Sequence, residues 1–177
     1  FYENFSDYSS CSDAAFLARW TRGATAGNCT IYGGLLQLDV GATFNFTEGW
    51  YTNWSFPRDV SVKSRMRMNA TGNRGTSTLY RYQTATRLDP NFAVPNVWYT
   101  EAFDRQFESS TSTTDGTVSV GVWYAEEARL YNLTWKHYVD DALVDGSLLL
   151  TAQTMDQAGR VGLAVIGAGA NGSNYTF

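Results

Sequence analysis

Lysine is nearly missing from this chain: only Lys63 and Lys136 carry it among 177 residues. Charged residues reach 17%, where about a quarter is usual. With a net charge of −4 and no basic stripe along any segment, nucleic acid is excluded as a partner. No apolar run approaches the roughly 20 residues needed to cross a bilayer. Histidine occurs once, as His137, and cysteine twice, so no Cys/His cluster of the zinc type is available. Neither an initiator Met nor a signal peptide opens the sequence, so it is read as a processed form or part of a longer chain. Its length fits one domain over residues 1–177, enough to bury about two-thirds of the unfolded surface.

What the chain has in excess is Asn-X-Ser/Thr. Eight of its eleven asparagines, Asn4, Asn28, Asn45, Asn53, Asn69, Asn132, Asn171 and Asn174, sit in such triplets, none with Pro in the middle. Ser and Thr make up roughly a fifth of the residues, so chance would place about two asparagines in these acceptors for surface glycans. The excess points to an extracellular or cell-surface location. Cys11 and Cys29 are then expected to form a disulfide, worth roughly 3 kcal/mol in the chain-entropy estimate. Two unrelated buried thiols are the alternative.

The patterning has a period of two. In 59–69 (DVSVKSRMRMN), Val60, Val62, Met66 and Met68 share one face while Lys63, Arg65 and Arg67 take the other. Similar alternation runs through Leu36–Val40, Val118–Tyr124, Tyr131–Lys136 and Val161–Val165. Strands of this kind between Gly-, Ser- and Asp-rich turns predict an all-β, antiparallel two-sheet sandwich. Asp13–Trp20 is expected to give one or two helical turns capped by Ser12 or Asp13. Thr151–Gly159 reads as a short turn or coil, and Ser109–Gly116 (SSTSTTDG) as a mobile hairpin loop. The acceptors Asn45, Asn69 and Asn132 fall opposite the apolar phase of their stretches.

Several pieces in order resemble the concanavalin A-like, or laminin G-like, jelly-roll superfamily. FYENFSD (1–7) is similar to its first strand, Trp20 to a Trp that follows, and Gly34–Leu38 (GLLQL) to a Gly-Leu-x-Leu strand. Phe56–Met68 resembles the next strand, and Trp135–Val144 (WKHYVDDALV) a hairpin turning at Asp140-Asp141. Gly162-Leu163 and Asn174–Phe177 are similar to the closing strands. The resemblance implies a jelly roll. The hairpin lacks the usual Gly at 141 or 142, so its turn is expected to be one residue longer. The last strand stops early at Phe177, which reads either as an exposed edge that a neighbouring subunit would pair or as a plain truncation.

The superfamily contains glycoside hydrolases, whose chemistry needs two carboxyl groups about 5–9.5 Å apart across one cleft. Glu126 and Glu127 are adjacent and point to opposite faces of a strand; Asp140 and Asp141 sit in a turn with Asp145 beyond it; Glu101 has no acidic partner at i±2 or i±4. All are read as salt-bridged or solvated surface carboxylates. His137 lacks a nucleophile elbow and is read as packed in its strand. Gly167-Ala168-Gly169 lacks the Lys of a phosphate-binding loop and is read as a turn or bulge. Asp89, Asn91, Asp115, Asp140 and Asp141 are conceivable calcium donors, but their spacing fits no recognisable loop, so no metal or cofactor is assigned.

Aromatics reach 15%. Trp50, Trp54, Trp98 and Trp123 are the candidate ligand or subunit contacts, because Trp50 and Trp54 cluster with Tyr51 in GWYTNWSF while Trp98-Tyr99 and Trp123-Tyr124 put rings on both faces of a strand. These features lead to an expectation of a non-enzymatic, heavily N-glycosylated module that self-associates in a surface filament, sheath or adhesive layer. The alternative is a carbohydrate-binding module of an adhesin or polysaccharide-active enzyme.

Overall fold

The computed structural model describes residues 3–25, 27–39, 48–68, 74–84, 87–94, 97–104, 108–115, 118–132, 134–149, 158–167 and 174–176. At 24–25, 48, 74–77, 79–84, 87–94, 97–104, 108–115, 135, 145–149, 166–167 and 174–176 it describes the backbone alone. The described strands form two antiparallel sheets of seven. The first runs β1 (Trp20–Thr25), β4 (Glu48–Thr52), β13 (Arg160–Gly167), β6 (Arg74–Thr84), β7 (Arg87–Val94), β8 (Val97–Asp104) and β9 (Glu108–Asp115). The second runs β12 (Ala142–Leu149), β11 (Thr134–Val139), β10 (Tyr124–Tyr131), β5 (Val60–Met68), β14 (Asn174–Thr176), β3 (Leu35–Asp39) and β2 (Asn28–Tyr32).

The period-two pattern becomes the core between these sheets. Met66 and Met68 of β5, Leu36 and Leu38 of β3, and Leu163 and Val165 of β13 are all buried and mutually packed. Aromatic rings close one end: Phe5 lies 5.8 Å from Trp20, and Phe16 lies 4.9 Å from Trp50, between ring centroids. Phe16 is presented by the single described helix, α1 (Ala14–Arg19), whose N-cap Asp13 accepts a hydrogen bond from the Ala15 N–H. The Cys11–Cys29 disulfide ties this N-terminal segment to β2.

Several local expectations are corrected. Ser109–Asp115 lies in β9, paired along its length with β8; its threonines are β-branched and suit an extended backbone better than a loop. Val118–Trp123 precedes β10 rather than extending it. Gly121 (φ +80°) turns the chain there, leaving Val120 and Val122 exposed. Phe5 and Tyr8 are buried without forming a first strand, since the chain turns at Phe5 with φ +57°. Asn132 is at a hairpin tip with φ +50°, beyond the last β10 pair, so the alternation read across Tyr131–Leu133 does not hold.

The β11–β12 turn is not lengthened. Val139 pairs with Ala142 around two residues, Asp140 (φ +49°) and Asp141 (φ +66°). That is the type I′ geometry that matches strand twist, and Asp tolerates its positive φ values better than most residues. The Asp140 carboxylate also accepts from the Ala125 N–H at 2.8 Å. β14 is short, yet it lies between β3 and β5 and pairs with both. β14 therefore lies inside its sheet and is not the exposed edge that motivated strand addition by a neighbour. The 151–157 part of Thr151–Gly159, the Phe44–Phe46 stretch around Asn45, Asn69, Asn171 and Ala168-Gly169 lie outside the described residues.

Candidate functional site

Alternation on β5 sends Ser61, Lys63, Arg65 and Arg67 to the solvent side of the second sheet. On β10, Glu127 and Arg129 take the same side, while Ala128 and Leu130 are buried. Tyr124 pairs with Met66, so the residue before it, Trp123, arrives beside Arg67 on the outer face. The Arg67 guanidinium carbon lies 5.0 Å from the Trp123 ring centre and that of Arg65 lies 5.5 Å away. Both are within cation–π reach, where the contact contributes about 0.5–1 kcal/mol at an exposed site. Trp123 is half-buried rather than sealed in the core. Next to Arg65 in register stands Ala125, too small to cover the indole.

The neighbouring charges on this face are paired internally. Arg129 donates to both Glu127 oxygens, at 2.7 and 3.1 Å, and its guanidinium lies 4.3 Å from the Tyr138 ring centre. Ser61 donates to the same carboxylate at 2.7 Å. The Arg129 hydrogen bonds, offset by partial burial and helped by Ser61, hold the Glu127 carboxyl below its ordinary pKa. Lys63 donates to Asp141 at 2.7 Å, which raises the ammonium pKa. Arg65 and Arg67 differ: among the described residues neither has a carboxylate within ion-pair reach, and the buried Arg67 Nε has no hydrogen-bond partner.

Among the described residues the other acids do not make a cleft. Glu126 is not on the surface, as expected from the sequence, but fully buried between the sheets. Its carboxylate accepts from Thr78 at 2.7 Å and Ser64 at 3.4 Å, hydroxyls that reach it from β6 and β5. His137 is buried beside it, with Nε2 3.8 Å from Glu126 Oε1, and burial pushes the imidazole pKa down to about 3. With the ring neutral, that approach is a polar contact rather than a charge pair. Asp140 and Asp141 are engaged at their turn. Glu101 stands opposite Thr111 on β9, and the side chains of Glu101, Asp89, Asn91, Asp115 and Asp145 are outside the described set.

Of the three singled-out tryptophans whose side chains are described, Trp50, Trp54 and Trp123, the structure turns Trp123 outward beside two arginines. Trp50 is 4% exposed and belongs to the aromatic core, so it is not a ligand contact. Trp54 is half-buried at the sandwich end, under Arg19 at 5.9 Å and next to Phe56. Trp98 lies in β8, where the backbone alone is described. Trp123 remains. The role of Arg65 and Arg67 was missed in sequence, although their i, i+2 spacing on the polar face of β5 was visible. Asn4, Asn28, Asn53 and Asn132 are exposed; Asn53 also donates to the Leu17 carbonyl at 2.9 Å and accepts from Thr21.

This architecture is the concanavalin A-like jelly-roll sandwich, and its solved neighbours include carbohydrate-active proteins. Carbohydrate-binding module CBM66 from Bacillus subtilis matches with a TM-score of 0.63 and 16% identity, covering 89% of this chain and 91% of that one. The Bacillus licheniformis beta-glucanase matches with a TM-score of 0.69 and 11% identity, over 99% and 94% of the two chains. A non-specific endo-beta-1,3(4)-glucanase of family GH16 matches at 0.74 and 10% identity, over 98% and 86%. No family model matches the chain, and no curated protein matches it in sequence.

These neighbours correct two expectations, that the chain is non-enzymatic and that it is a filament subunit. Nearly its whole length has the architecture of glucanases and a carbohydrate-binding module. One feature behind the filament reading also falls, since β14 is interior to its sheet. No helix among the described residues is long and apolar enough to cross a membrane.

Proposed function

We propose that this chain is a carbohydrate-recognition module of an extracellular polysaccharide-active or adhesive protein, and that sugar is held on the outer face of the second sheet at Trp123. The observation that carries this is the half-buried indole flanked at 5.0 and 5.5 Å by two guanidinium groups with uncommitted donors. An aromatic face takes the apolar C–H side of a pyranose, and planar guanidinium donors take its hydroxyls. The jelly-roll neighbours raise the prior for such a ligand. Isothermal titration with laminarin and mixed-linkage β-glucan oligosaccharides tests it. Binding should weaken at least about tenfold in Trp123→Ala, and unchanged affinity refutes the assigned face.

A second reading, glycoside hydrolysis, is favoured by the glucanase domains among the neighbours. Release of reducing ends from laminarin would support it, and no release would refute it for that substrate. N-glycosylation belongs to the same proposal. Enzymatic deglycosylation followed by mass spectrometry should convert Asn4, Asn28, Asn53 and Asn132 to Asp, and unconverted peptides would refute it site by site.

A further inference from the structure

The two halves of the second sheet's outer face differ in charge and in glycan acceptors. On one half, Asn28 of β2 and Asn174 of β14 each stand opposite Asp39 of the strand between them. At about 4.8 Å per strand the two acceptors are roughly 10 Å apart, so glycans there would cover a half whose strands carry Asp39 as their one charge. The other half, formed by β5, β10 and β11, has its Asn-X-Ser/Thr asparagines only past the strand ends, Asn69 after β5 and Asn132 after β10. It carries Lys63, Arg65, Arg67, Arg129 and Lys136 against Glu127 and Asp141, in a protein whose net charge is −4.

Because Glu127 neutralises Arg129 and Asp141 neutralises Lys63, the surplus positive charge is left on Arg65, Arg67 and Lys136, the first two both within 5.5 Å of the indole centre. Those two are one strand repeat apart, roughly 6.8 Å. We infer that the ligand of this face is an anionic polysaccharide, one whose carboxylate or sulfate groups pair with Arg65 and Arg67 while a sugar ring lies on Trp123. The inference rests on the carbohydrate-recognition reading and names its substrate class. Guanidinium forks bind planar oxyanions through paired hydrogen bonds that neutral hydroxyls cannot match.

The glycosylated chain is titrated calorimetrically at moderate salt with hexagalacturonate, a sulfated heparin hexasaccharide, neutral cellohexaose and laminarihexaose, and single-stranded oligothymidylate. One or both anionic sugars should bind at least about tenfold tighter than the neutral ones. Arg65→Gln and Arg67→Gln should each lose about tenfold for the anionic sugar, with a shallower salt dependence. Arg58→Gln, a charge-matched change elsewhere, should lose none, and unchanged thermal unfolding verifies that each variant is folded. Preference for carboxylate over sulfate, or the reverse, identifies the group recognised. Neutral sugars binding equally well, insensitive to both arginine changes, would overturn the anionic assignment and leave carbohydrate recognition standing. No sugar binding at all would sink both, and oligothymidylate binding as tightly would show a general polyanion surface, against the proposal.

Discussion

His137 should make this protein measurably acid-sensitive. Its ring is 1% exposed, and burial lowers its pKa from 6.5 to about 3. The unfolded chain takes up a proton below about pH 6.5 that the folded chain refuses until about pH 3. Stability is therefore complete above the unfolded pKa and falls by about 1.4 kcal/mol per pH unit in between. At pH 4.5 the loss is about 2.7 kcal/mol, a large share of a typical 5–15 kcal/mol. Urea unfolding at pH 7.0, 5.5 and 4.5 measures it, with His137→Gln separating this ring from carboxylates such as Glu127 that also lose their partners in acid. The wild type should lose about 2–3 kcal/mol more than the variant over this range. As the chain has one histidine, its NMR ring signal should also stay unshifted to pH 4.5. Equal slopes, or a ring titrating near 6, would mean that Glu126 at 3.8 Å holds an imidazolium and that the neutral-core argument is wrong.

Three stability predictions follow from other parts of the fold. The Tyr51 ring is 3% exposed although it lies on the side of β4 away from the core, across Gly23 and Gly162. A Cβ at Gly162 would lie 2.5 Å from Tyr51 Cδ1, so Gly162→Ala should cost about 1–3 kcal/mol in urea unfolding and much less when combined with Tyr51→Ser. Asp141→Gly should raise the free energy of unfolding by about 1 kcal/mol, because relief at φ +66° outweighs an exposed pair with Lys63. Removing the Cys11–Cys29 disulfide with a double Ser variant should cost about 3 kcal/mol, and a loss near zero would show that the loop is already ordered by its aromatic packing.

The sequence made the sandwich legible where burial alternates within one strand. Val60–Met68 pointed Met66 and Met68 inward and the basic residues outward before any pairing was known. It misled where long-range pairing decides. Nothing local in SSTSTTD says that β8 will template it as a strand, and nothing in a chain end at Phe177 says that Asn174–Thr176 will insert between β3 and β5. Glu126 looked like a surface acid because Thr78, its hydrogen-bond donor, is 48 residues away and belongs to the opposite sheet. The candidate site was half visible: Trp123 was picked for two-faced aromaticity, while its arginine partners were seen as an ordinary polar face. Trp50 had the same local signature as Trp123. What separates them is a cross-sheet environment that puts Trp50 4.9 Å from Phe16 and Trp123 over two guanidinium groups.

The central claim is that sugar meets this protein at Trp123. Six tryptophans give six indole N–H signals in a nitrogen-labelled sample, and the one missing from Trp123→Ala is assigned without further work. Titration with oligosaccharide should shift that signal saturably, together with the Arg65 and Arg67 side-chain signals, while the core indoles of Trp20 and Trp50 stay fixed. Saturable binding that leaves the Trp123 signal unmoved would contradict the account.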